Sequence, residues 1–150
     1  MAYIIGGTIR GTVNGLLILL VGITLGGISV MQPFATVGFI ILVSVAFSSI
    51  GFLLGQLADT WDQLATLQNF LLTPLSFLGG IFYSIKMLPD WAQAASFYNP
   101  IYYMINGLRF TILGVSDSPP MTSFIVALIM TVGFFLAAVL MMESGKKIKQ

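Results

Sequence analysis

Hydrophobic positions dominate the chain, and the few polar ones fall in clusters that divide it. No charged residue occurs from Gly11 to Ala58. One helix of that length is about twice what a hydrocarbon core of roughly 30 Å needs, so the run must fold back on itself. The break belongs at Gly26-Gly27 to Pro33, where glycines, Ser29, Gln32 and proline gather. This predicts a first span at about 8–30 and a second at about 34–58. A polar loop, Asp59-Thr60-Trp61-Asp62-Gln63, separates them from a third span at about 64–83. A fourth uncharged span is predicted at about 121–142, after the turn Asp117-Ser118-Pro119-Pro120.

The segment between the third and fourth spans breaks the pattern. Pro89 suits the first turn of a helix, with Asp90 near its positive end, which predicts a short helix over 89–97. Asn99 followed by Pro100 reads as a cap plus a first-turn proline, and Gly114 reads as a stop, which predicts a second helix over 100–113. Neither piece is long enough to cross a bilayer. Two short helices dipping in and out on one face fit the pattern, provided protein shields their backbone. A surface amphipathic helix that only anchors the chain is the alternative. The expected fold is therefore an all-α polytopic membrane protein. It has four transmembrane helices and a pair of short extracellular re-entrant or interfacial helices between the last two spans.

Glycines recur at four-residue spacing at Gly7, Gly11 and Gly15, and again at Gly22/Gly26 and Gly51/Gly55. In lipid such a face lets another helix approach closely. Pro74 lies inside the third span with Gln68, Asn69, Thr73 and Ser76, and should kink or loosen that helix.

Composition narrows the class. Only 7% of the residues are charged and 57% are hydrophobic, at a mean hydropathy of +1.00. A soluble domain carries about 25% charged residues, so this chain cannot cover a water-facing surface. There is no Cys and no His, which removes thiol chemistry and the commonest metal ligands. No phosphate-binding glycine loop and no nucleophile–base pair is present, so no catalytic residue, cofactor or metal is expected. A net charge of +1 gives no reason to expect nucleic acid. Arg10, Lys146, Lys147 and Lys149 fall on the side of both termini, against Lys86 and Arg109 on the other. The positive-inside tendency then places both termini and the Asp59–Gln63 loop in the cytoplasm.

The combination of D-x-W-D-Q, N-F-L-L-T-P-L-S-F-L-G-G-I-F-Y-S, L-P-x-W and N-P-I-Y-Y-M-I-N-G-L-R-F resembles the permease subunits of ABC-2 type exporters. The likeness is closest to bacterial inner-membrane members and covers essentially the whole chain. It implies six spans with cytoplasmic ends and short extracellular helices between the fifth and sixth. It also implies a permease homodimer attached to a separate ABC ATPase subunit, which hydrolyses the ATP. On that likeness the four spans here match family spans three to six. The interface helix, first two spans and coupling helix of the family would precede Met1, so the chain resembles the C-terminal portion of a permease.

Three groups of residues follow as candidates. Asn69, Thr73, Pro74 and Phe77 share a helical face that would line the substrate pathway or the dimer interface. Ordinary packing within the subunit is the alternative. Tyr102, Tyr103, Asn106 and Arg109 would form an extracellular gate, or else anchor the segment at the headgroups. Asp59, Trp61 and Asp62 would touch the ATPase subunit, or form a plain solvated turn. The expected function is export of a lipid, glycan, drug or similar cargo. A membrane protein that only packs with other subunits, without transporting, is the competing expectation.

Overall fold

The structure is a computed structural model and describes residues 2–81 and 84–143. Among the described residues there are helices and turns and no strand. The helices are α1 (Ala2–Gly26), α2 (Pro33–Leu57), α3 (Trp61–Leu67), α4 (Thr73–Leu78), α5 (Asp90–Phe97), α6 (Pro100–Leu113) and α7 (Pro120–Glu143). Three of them, α1, α2 and α7, are long and apolar enough to cross a membrane.

The first helix starts and stops earlier than the expected 8–30. Its apolar character continues back through Ile4 and Ile5, and the Thr8 hydroxyl donates to the Ile4 carbonyl at 2.8 Å, so nothing halts it at Arg10. It ends where Gly27 adopts φ 61, a left-handed conformation that favours glycine. Residues 27–32 then cross as a linker, not as helix.

The expected third span is divided. A π-helical stretch, Gln68–Leu72, joins α3 to α4, so the helical path from Trp61 to Leu78 is built of three short pieces. Pro74 explains the position of the widening. It offers no N–H to the carbonyl one turn before it, and its ring crowds that carbonyl. The chain turns at Gly79-Gly80, with Gly80 at φ 78. Phe82 and Tyr83, the end of the expected span, lie outside the described residues, as do Lys146, Lys147 and Lys149 of the tail.

α2 is the central helix, with α1, α6 and α7 packed around it. α1 and α2 are antiparallel and meet along the predicted glycine face. A Cβ on Gly11 would stand 3.0 Å from Ser44 Oγ, and one on Gly15 would stand 2.8 Å from Ile40. Gly7 faces Ser48, whose hydroxyl crosses to the Ile4 carbonyl at 2.8 Å. Gly51 and Gly55, by contrast, face open space. α7 presents small residues inward, with Ser123, Ala127, Thr131 and Ala138 buried. Phe39, Ala46, Met104 and Ala127 form the core where α2, α6 and α7 converge. Small side chains at such contacts bring helix backbones together, the main source of attraction between helices in lipid.

Candidate functional site

The segment from Ser84 to Asp117 is a closed excursion. It begins and ends at one place, because the Ser84 hydroxyl donates to Asp117 Oδ1 at 2.6 Å. A 3₁₀ turn, Ile85–Met87, leads into α5 and then α6. At its far end α6 meets the α1–α2 linker. Met31 N–H donates to the Ile112 carbonyl and Gln32 N–H to the Thr111 carbonyl, both at 3.1 Å. From there α6 runs back antiparallel to α2, and Phe39 packs its ring against Gly107, where no side chain would fit. The eleven helical steps from Thr111 back to Pro100 cover about 16 Å, roughly half a hydrocarbon core. The turn between α5 and α6, at Tyr98-Asn99, is therefore the end of the excursion away from its mouth.

That turn is possible because side chains replace the missing helical hydrogen bonds. Asn99 is buried and works in two directions. Its Oδ1 accepts from Ile101 N–H at 3.0 Å, capping α6, and its Nδ2 donates to the Leu75 carbonyl of α4 at 2.5 Å. Ser96 donates to the Leu78 carbonyl at 2.7 Å and to Ala92 at 2.8 Å. Arg109 donates to the Gly80 carbonyl. The last carbonyls of a helix lack a full set of partners of their own. At the end of α4 the Leu75 carbonyl accepts from Gly79 N–H at 2.8 Å and takes Asn99 as a second donor, that of Leu78 is taken up by α5, and that of Gly80, just beyond, by α6. A broken helix in lipid needs this kind of protein partner.

The mouth of the excursion is latched. Arg109 pairs with Asp117 at 2.9 Å, with 22% and 9% of the two side chains exposed. Asn106 is 1% exposed and binds the linker to α7. Its Nδ2 shares its two protons among Ser116 Oγ at 2.9 Å, Ser118 Oγ at 3.0 Å and Ser123 Oγ at 2.8 Å, while its Oδ1 accepts from Asp117 N–H at 2.9 Å. Gly114 closes α6 in a left-handed conformation, φ 71.

The residues singled out in the sequence fall into three places. Of the first group, Asn69, Thr73, Pro74 and Phe77 all lie exposed on one side of the π-helical stretch and α4. Of the second, Tyr102 is 1% exposed and Asn106 and Arg109 are tied as above. The Tyr102 ring is clamped edge-on by Phe97 and Tyr103, with centroids 5.7 and 4.9 Å away. Its hydroxyl has no well-formed hydrogen bond among the described residues, Ser118 being the neighbouring hydroxyl. Tyr103 is partly exposed, and its hydroxyl donates to the Phe97 carbonyl at 2.9 Å. Arg109 thus faces Asp117 and a backbone carbonyl. Of the third, Asp59, Trp61 and Asp62 are exposed at the start of α3. Thr60 caps that helix through Gln63 N–H at 3.2 Å, and Gln63 accepts from Asp59 N–H at 2.8 Å, close to a capping box.

Sequence reasoning missed Ser96, Ser116, Ser118, Ser123 and Gly107. The serines bond across 10 to 18 residues of sequence, and no local signal marks such pairs. No group of acidic, His or Cys side chains among the described residues is arranged to hold a metal ion.

Comparison with known proteins points one way. Residues 1–113 match the ABC-2 type transporter family model. The inner membrane transport permease YadH of Escherichia coli K12 is 35% identical over 147 residues, 98% of this chain and 57% of that protein. Nodulation protein J of Sinorhizobium fredii is 30% identical over 100 residues, 67% of the chain and 38% of that protein. No solved structure matches. The chain spans a little over half the length of the YadH permease, and on the breadth of these matches it belongs to the ABC-2 type transporter family.

Proposed function

We propose that the chain forms the membrane part of a permease subunit of an ABC exporter in the bacterial inner membrane, with both termini cytoplasmic. A separate ABC ATPase subunit drives it, and two permease copies form the working unit within membrane lipids. The observation that carries the reading is the latched excursion from Ser84 to Asp117, which enters and leaves at one end of the bundle. It supports a re-entrant helix pair on the extracellular face. The family likeness and the name of the YadH permease supply the transport role.

In this reading the pair is the exit gate. Tyr102, Tyr103, Asn106 and Arg109 fix α6 as one rigid body, so the gate moves by displacement of α5 and α6 against α4 and not by single side-chain swings. Asn69, Thr73, Pro74 and Phe77 face outward on the broken third helix, where polar groups need a second copy or a wet pathway. Asp59, Trp61 and Asp62 lie exposed at the opposite end, where they would meet the ATPase subunit. ATP binding would favour one of two arrangements of the complex through its different affinity for them.

Co-purification tests this. The permease and its ATPase should leave the membrane as a complex in detergent, with ATP hydrolysis that rises when an exported amphiphile is added. A complex that never forms, with either this chain or a longer form of it, overturns the reading in favour of a protein that only packs with other membrane subunits.

A further inference from the structure

We propose that the groove between α1 and α2 beside Arg10 binds the phosphate group of an anionic membrane phospholipid. The proposal stands on membrane embedding and does not depend on export.

Arg10 is the one charged residue of α1, which is otherwise apolar enough to cross a membrane. It lies eight residues into the helix, about 12 Å from its start, with no ion-pair partner among the described residues. An arginine at that depth costs a few kcal/mol unless an anion meets it. The groove beside it holds about 420 Å³. Its polar lining is Arg10, Asn14, Ser44 and Ser48, with no acid, and its walls include Val43 and Phe47. Guanidinium, carboxamide and the Ser44 hydroxyl all offer N–H or O–H donors, while Ser48 has given its proton to Ile4. That set suits a phosphate diester, and guanidinium in particular grips two phosphate oxygens at once. The apolar walls suit the start of an acyl chain.

Direction selects a lipid. Side chains on a helix lean toward its N-terminus, so Arg10 points to the end of the bundle where Tyr3 is exposed, the level of an interfacial aromatic. Gly6, one turn before Arg10, has nothing within 4 Å of the place a Cβ would occupy. An arginine reaching toward that end needs the phosphate to descend only a few ångströms. Basic pockets between membrane helices hold lipid headgroups in this manner.

The test uses the purified permease in nanodiscs of phosphatidylcholine doped with phosphatidylglycerol. Native mass spectrometry counts the phosphatidylglycerol retained per chain. The natural chain should retain it, and added inorganic phosphate should not displace it. Arg10→Gln should weaken retention about tenfold, the loss of one charged hydrogen-bonded contact, with Arg10→Lys in between. Gly6→Leu keeps Arg10 and adds bulk in the open space one turn before it, in the path of a headgroup that reaches Arg10 from that end. It should weaken retention similarly with the thermal melt unchanged, which guards against a folding defect in the Arg10 variants. Equal retention by Arg10→Gln and the natural chain overturns the proposal. So does a natural chain that retains no phosphatidylglycerol, the result expected if a carboxylate on another membrane helix fills the groove.

Discussion

Asn99 offers the sharpest perturbation, because one side chain serves two helix ends. Its Oδ1 caps α6 at Ile101, and its Nδ2 ends α4 at Leu75. Truncation to Ala removes a cap, about 1 kcal/mol, and a side-chain hydrogen bond, about 1 kcal/mol more. Hydrogen bonds between membrane helices average nearer to about 0.6 kcal/mol, so the total falls at about 1–2 kcal/mol. The two parts separate by substitution. Asn99→Ser keeps an acceptor for Ile101 but cannot reach Leu75, and should cost about half as much as Ala. Asn99→Asp keeps the acceptor and sets an oxygen against the Leu75 carbonyl, so it should cost at least as much as Ala. Reversible unfolding in mixed micelles, followed by far-UV circular dichroism, reads all three. An Asn99→Asp variant as stable as the natural chain refutes the two-ended role. So does an Asn99→Ala change below about 0.3 kcal/mol, within the range of an ordinary surface substitution.

Three further outcomes follow from the packing. A double-mutant cycle of Arg109→Ala and Asp117→Ala should give a coupling of about 1–2 kcal/mol by thermal unfolding, above the value for an exposed pair, since Asp117 is only 9% exposed. Gly15→Ala brings a methyl to 2.8 Å from Ile40 and should destabilise by about 1–3 kcal/mol. Gly55→Ala, in open space, should be neutral or gain up to about 1 kcal/mol in the same assay. Pro74→Ala restores an N–H to the widened helix and should turn the residues of α3 by about 100° against α4. Cysteine cross-linking between the third helix and α2 detects that change as a shifted pattern, and an unchanged pattern excludes Pro74 as the cause of the π-helical stretch.

Local chemistry made much of the excursion legible in the sequence. Asn99, Pro100 and Gly114 act within a few residues of themselves, and α6 starts and stops where they put it. Pro74 marked a weakness in the third helix for the same reason. The glycine run from Gly7 to Gly15 was readable because four-residue spacing defines a face whatever the partner, although spacing could not tell that Gly51 and Gly55 face open space. Boundaries of uniformly apolar helices were harder. Nothing in composition distinguishes Ile4 from Val30, so α1 was displaced toward Gly26-Gly27 and beyond. The latch was invisible because it is nonlocal. Arg109 reads in the sequence as an interfacial arginine, and only the return of the chain brings Asp117 beside it. Asn106 likewise finds Ser123 across the turn into α7.

Sidedness tests the central claim most directly. The chain contains no cysteine, so single-cysteine variants can be labelled without first replacing a native cysteine. Met87 and Val115 flank the α5–α6 pair, Trp61 opens α3 at the other end, and all three are exposed. Cysteines at Met87 and Val115 should react from outside the cell with a membrane-impermeant maleimide, and one at Trp61 only after permeabilisation. Tyr98, exposed but at the far turn of the excursion, should label slowly from either side. Labelling of Met87 and Val115 from opposite sides of the membrane contradicts a re-entrant pair and the gate built on it.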